Sequence, residues 1–185
     1  MYLPHCETLL LEQREHTLHV TLNRPEARNA MSLKMVRELL DLFESIQNNR
    51  DCRVIVLRGA GGHFCAGGDI KDMAIARAAA ASDEDSSADP FYDLNRTFGS
   101  MLTRIQRAPQ LVVAVMQGAV LGGGRGLACV CDVGIARIDA KFGMPETSLG
   151  VIPAQIAPFV VGRIGLTQAR RMALLGLTFD GSTAR

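Results

Sequence analysis

Residues 112–136 read VVAVMQGAVLGGGRGLACVCDVGIA, and their reading decides the fold. An apolar strand, Leu111 to Val115, runs into Gly118 and then into the consecutive glycines Gly122, Gly123 and Gly124. The chain turns apolar again at Leu127, Ala128, Cys129 and Val130, where a helix is expected. Consecutive glycines cost backbone entropy, so a fold keeps them where the backbone approaches something closely or takes a positive φ. The first N–H groups of a helix have no partner inside it and carry partial positive charge. Two readings follow. The stretch is either a tight strand-to-helix packing turn or a set of amides presented to a ligand oxygen.

A second stretch has the same design. Arg53 to Gly59 (RVIVLRG) reads as a buried strand. It leads into Ala60-Gly61-Gly62 and then His63-Phe64-Cys65-Ala66-Gly67-Gly68-Asp69-Ile70, just before another expected helix. Two such bends can each direct one backbone N–H at a single oxygen. That arrangement suits a thioester oxygen as it becomes an enolate.

Composition narrows the class. A chain of 185 residues fits one domain, 1–185, with room for a sizeable core. It is 48% hydrophobic without tryptophan, which suits an aliphatic α/β interior. A net charge of +1 argues against a nucleic-acid footprint and against a polybasic membrane surface. Cys6, Cys52, Cys65, Cys129 and Cys131 form no C-x-x-C pair, so they read as reduced thiols in a cytoplasmic protein. MYLPHCETLL lacks the basic and long apolar regions of a signal peptide, and no uncharged run is long enough to span a membrane.

In chain order, Thr8 to Leu22 reads as two strands around a turn near Arg14 and Glu15. Leu18, Val20 and Leu22 alternate onto one face. After the polar turn Asn23 to Ala30, Ser32 is placed to cap a helix with Met35, Val36, Leu39, Leu40, Phe43 and Ile46 on its apolar face. Ile70 to Ala81 is helix-prone. Ser82 to Pro90 is acidic, small and polar, and its spacing does not match a calcium loop, so no metal site is expected. Phe91, Leu94, Phe98, Leu102 and Ile105 mark one face of a further helix. Cys131 to Ala136 reads as a strand, and Gln155 to Gly162 and Thr167 to Leu175 as helices. Strands alternating with helices argue for a β/α architecture.

FCAGGDI, GAVLGGGRGLACVCDVGIA and FGMPETSLGVIP, in this order and spacing, resemble the crotonase (enoyl-CoA hydratase/isomerase) superfamily from Thr8 to the end of the chain. The resemblance implies an α/β fold of ββα spiral turns. It implies an acyl-CoA substrate, with coenzyme A part of the substrate and no separate cofactor. Assembly as a homotrimer or a dimer of trimers is expected. Family members continue past FDGSTAR into helices that cover the acyl pocket and build the trimer contact, so that part is expected to be incomplete here.

The resemblance also assigns roles. It places the two oxyanion donors at the amides of Ala66 and Gly123, and substrate contacts along Ala66, Gly67, Gly68, Asp69 and Ile70. Arg28, in the turn that borders the coenzyme A in the family, is either a phosphate contact or a solvated loop residue. Typical hydratases of the family carry two glutamates. Here the first position is Gly126 and the second is Glu146. One carboxylate would then take a proton from water and return it to Cα. A glycine at 126 removes a charge and opens space, which suits a branched substrate bearing its own carboxylate. Arg125 either pairs with that acid or points into solvent. The pattern is similar to the hydratase branch acting on 3-branched glutaconyl-CoA thioesters, isohexenylglutaconyl-CoA first and methylglutaconyl-CoA next. A single-glutamate enoyl-CoA isomerase and an inactive binding scaffold are the alternatives.

Overall fold

A computed structural model describes residues 3–82 and 90–184. The acidic stretch noted above lies almost wholly outside them. Five strands form one sheet in the order β1 (Leu9–Arg14), β2 (Thr17–Leu22), β3 (Val54–Gly59), β4 (Leu111–Met116) and β6 (Val133–Ala136). β1 and β2 are an antiparallel hairpin turning at Glu15, and every other pairing is parallel. A second sheet joins β5 (Ala119–Leu121), β7 (Lys141–Gly143) and β8 (Thr178–Asp180).

The crossovers are helical: α1 (Leu33–Ile46) between β2 and β3, then α2 (Ile70–Ser82) and α3 (Pro90–Gln106) between β3 and β4. The short helix α4 (Gly123–Val130) follows β5, and α5 (Ala157–Leu175) precedes β8. Ser32 caps α1 by accepting the Met35 amide at 3.2 Å. Met35, Val36, Leu39, Leu42, Phe43 and Ile46 are buried, and Leu40 packs half-buried against the same core. Each such side chain contributes about 1.5–3 kcal/mol by burial, far more than helix propensity supplies. Both helices expected near the end are present, running into each other within α5 through non-helical Gly165 (φ 77, ψ 160).

β6 is the open edge of the larger sheet. All four of its residues are exposed, including Val133 and Ile135. The core lies instead beneath β2, β3 and β4, where Leu18, Val20, Leu22, Ile55, Leu57 and Ala114 are fully buried. Among the described residues, no helix is long and apolar enough to cross a membrane.

Asn29 locks the frame in a way no periodicity announces. It is fully buried in a left-handed conformation (φ 57). Its Nδ2 donates to the carbonyls of Ala60 (2.8 Å) and His63 (2.7 Å), and its Oδ1 accepts the Arg24 amide (2.9 Å). Removing the amide strands those groups, each at roughly 1–3 kcal/mol. Asn29→Ala is expected to lose at least ~2 kcal/mol, read as a lower denaturant midpoint at unchanged slope.

Candidate active site

β3 and β4 are parallel neighbours, so the bends leaving their C-terminal ends begin side by side. Open α/β sheets place ligands at such ends. Backbone bonds then interlock the bends. Phe64 donates to Gln117 O (2.8 Å), Cys65 to Ala119 O (2.9 Å), and Leu121 to Cys65 O (3.0 Å). His63 accepts the Ala119 amide on Nδ1 at 3.1 Å, so it is a fixed turn residue.

The second bend closes at Gly122, whose φ of 48 and ψ of −119 no side-chain-bearing residue takes cheaply. Its amide donates to Gly143 O (3.0 Å), which ties the bend to β7. The next residue, Gly123, opens α4, and its N–H has no acceptor within the helix. Gly67, at φ 114, lies against it: a Cβ built on Gly67 would sit 3.8 Å from the Gly123 nitrogen.

The partner donor differs from the expected one. The Ala66 amide is committed to the Arg28 carbonyl at 3.0 Å, so it is not offered to a ligand. Two residues on, Gly68 is exposed, and its nitrogen lies 3.5 Å from the point a Cβ on Gly123 would occupy. No acceptor among the described residues takes up the Gly68 N–H. The backbone bridge of this segment to Met31 uses the carbonyl of Gly67 and the amide of Asp69 instead. Phe98 and Met31 close over Gly123, with Cζ and Cε at 3.0 and 3.1 Å from the same point.

Glu146 approaches the second bend at Gly122. It lies on the turn Pro145–Leu149 that follows β7, and Val151 binds its carbonyl at 3.0 Å. Its Oε1 is 2.9 Å from where a Cβ on Gly122 would be, so only glycine leaves room for the carboxyl. Its Oε2 is buried and has no hydrogen-bond partner. Burial pushes the carboxyl above its ordinary range, and no neighbouring charge contributes. A folded-state value above the unfolded one means that folding takes up a proton here. The cost of burial is therefore absent in acid and grows as pH rises through the raised value. Glu146→Gln is expected to melt higher than the parent at about pH 8, with the gap closing near pH 4, by scanning calorimetry.

Other expected contacts divide. Ile70 is exposed at the start of α2. Arg28 is exposed, in a left-handed conformation, and makes no ion pair among the described residues. Asp69 is structural: it pairs with Arg24 at 2.7 Å and caps α2 through the Lys71 amide at 2.9 Å. Burial opposes its charge, but the Arg24 bond and the amide outweigh it and hold the carboxyl below its usual range.

Arg125 neither meets the site nor points outward. It is 6% exposed, and its guanidinium lies over the rings of Phe142 (5.2 Å) and Phe179 (5.1 Å), which stack on each other. Burial lowers its pKa, and its Nε has no partner. Its charge does not figure among the influences on Glu146. Gly126 does not leave open space either. A Cβ there would be 2.3 Å from Ile156 Cγ2 and 2.9 Å from Ile156 Cβ. All five cysteines are free thiols, and burial pushes the buried Cys65 and Cys131 up to about 12. A cleft of about 580 Å³ between α1, α3 and the start of α5 includes none of these site residues.

Residues 12–185 match the enoyl-CoA hydratase/isomerase family. Pseudomonas aeruginosa AtuE is 63% identical, with a TM-score of 0.90 over 96% of this chain and 66% of its own. An enoyl-CoA hydratase/isomerase from Marinobacter aquaeolei is 61% identical, with a TM-score of 0.89 over 97% of this chain and 67% of its own. The mitochondrial Δ(3,5)-Δ(2,4)-dienoyl-CoA isomerase of Mus musculus is 36% identical over 159 residues, 83% of this chain and 48% of its own. The chain thus spans about half to two thirds of the length of these proteins. With its paired glycine bends and the match running through both, the chain belongs to the enoyl-CoA hydratase/isomerase (crotonase) family.

Proposed function

We propose that the protein adds water across the α,β double bond of a 3-branched glutaconyl-CoA, isohexenylglutaconyl-CoA before methylglutaconyl-CoA. One observation carries the reading: a buried carboxyl with an unpartnered oxygen stands beside two uncommitted amides. The amides of Gly68 and Gly123 hold the thioester oxygen as it gains charge, each contributing about 3 kcal/mol to the lowered barrier. Glu146 takes one proton from water while the hydroxyl oxygen bonds to Cβ. It then gives that proton to Cα, and the enolate returns to a thioester. A carboxyl raised toward working pH suits both transfers. Position 126 brings no second carboxylate to a branched acid, because it is glycine and Ile156 covers it.

The phosphates of coenzyme A are assigned to Arg28, whose side chain is free. Exposed Ile152, Leu166 and Leu174 supply apolar area for the trimer we expect, which light scattering would read. Incubating the protein with each glutaconyl-CoA should bleach the enoyl absorbance and yield the 3-hydroxy thioester by mass. A second reading, a single-carboxyl isomerase, draws on the lone Glu146 and on the mouse isomerase relative. Isomerisation leaves the mass of the thioester unchanged, whereas hydration adds one water.

A further inference from the structure

Gly126 lies inside α4, where glycine is disfavoured relative to alanine by about 1 kcal/mol. Its setting supplies a reason. Gly126 lies three residues past Gly123 and four past the N-cap Gly122, so it is the next-turn neighbour of both. Glu146 faces Gly122, the ligand-facing amide belongs to Gly123, and Ile156 Cγ2 presses on Gly126 at 2.3 Å from a built Cβ. Leu102 Cδ1 lies 3.5 Å from the same point. Ile156 is 4% exposed and forms the N-cap of α5. Its neighbour Gln155 reaches over Gly99 of α3 in the same manner, with Oε1 2.1 Å from a built Cβ. The turn before α5 therefore seats in two glycine notches, one on each helix that flanks the site.

We propose that Ile156 is a specificity-determining residue: it is the apolar wall that the substituent on the acyl C3 meets. The inference rests on the proposed reaction only for the direction of the acyl chain. With the carbonyl oxygen at Gly123 and C3 at Glu146, a substituent on C3 runs along α4 toward position 126. There it finds the side chain of Ile156 instead of one from α4. Glycine at 126 and isoleucine at 156 are thus a matched pair, and the space either can fill is set by the other.

The test uses Ile156→Val, Ile156→Ala, Gly126→Ala and the Gly126→Ala/Ile156→Ala double variant in the full chain. Competition constants are measured for butyryl-CoA, isovaleryl-CoA and octanoyl-CoA, which do not react. kcat/KM is measured for crotonyl-CoA and both glutaconyl thioesters. Ile156→Ala should shift preference toward the bulkier or branched acyl group by about 10-fold, the scale of a methylene or two in an apolar pocket. Ile156→Val should shift it the same way by less. Gly126→Ala should lower the melting temperature, and the double variant should recover it. Preference unchanged within about twofold in both Ile156 variants, with all substrates falling together, overturns the inference. If no glutaconyl thioester turns over in the parent protein, the assigned substrate fails. The competition constants then decide the role of Ile156 by themselves.

Discussion

Glu146→Gln is expected to lower kcat by roughly 10³-fold or more while KM stays within a few-fold, since general acid–base groups supply about 10²–10⁴. The upper part of that range applies because one carboxyl serves both proton transfers. Glutamine keeps the shape that Gly122 accommodates but neither accepts nor returns the proton. Its amide also gives the buried Oε2 position a group that stays neutral at every pH, so the variant should fold. Stopped assays with the enoyl thioester, alongside binding of the saturated analogue, separate loss of chemistry from loss of binding. Turnover within tenfold of the parent would remove Glu146 from the reaction.

Gly123→Pro is expected to cost about 10²–10³ in kcat relative to Gly123→Ala, the usual scale for one oxyanion donor. Proline is well tolerated at the first position of a helix, where the N–H is unpaired in any case. The substitution therefore deletes the donor and leaves α4 largely intact. Alanine is the control, because both variants add a Cβ against Phe98 Cζ and Met31 Cε, which are the ends of adjustable side chains. Equal kcat in the two variants would show that the Gly123 amide does not touch the thioester oxygen. The same comparison at 68 is less clean, since proline there also disturbs the Asp69 amide bonded to Met31.

The sequence made the strands and the paired bends legible because both are local. A continuous apolar run such as Leu111 to Met116 marks a strand, here buried on one face and half-buried along most of the other, and glycine clusters mark the bends. The turn that carries Glu146 is legible from the residues around it. What stayed hidden depends on contacts distant in sequence. The choice between Ala66 and Gly68 as donor is set by the carbonyl of Arg28, which claims the Ala66 amide. Asn29 reads as one more polar turn residue until its amide is seen to hold Ala60 and His63. Arg125 is hydrophilic by type, yet Phe142 of β7 and Phe179 of β8, distant in sequence, receive it. Ile156 left only an indirect trace, the glycine at 126 in a helix that would otherwise prefer alanine.

The open edge at β6 carries a cost in the test tube. Its unpaired peptide groups and the side chains of Val133 and Ile135 form a ready template for another strand. Asp132 before it and the Arg137–Asp139 ion pair after it put charge at both ends, the placement that discourages ribbon-like stacking between copies. Neutralising those flanks should turn a well-behaved preparation into one that clouds on concentration.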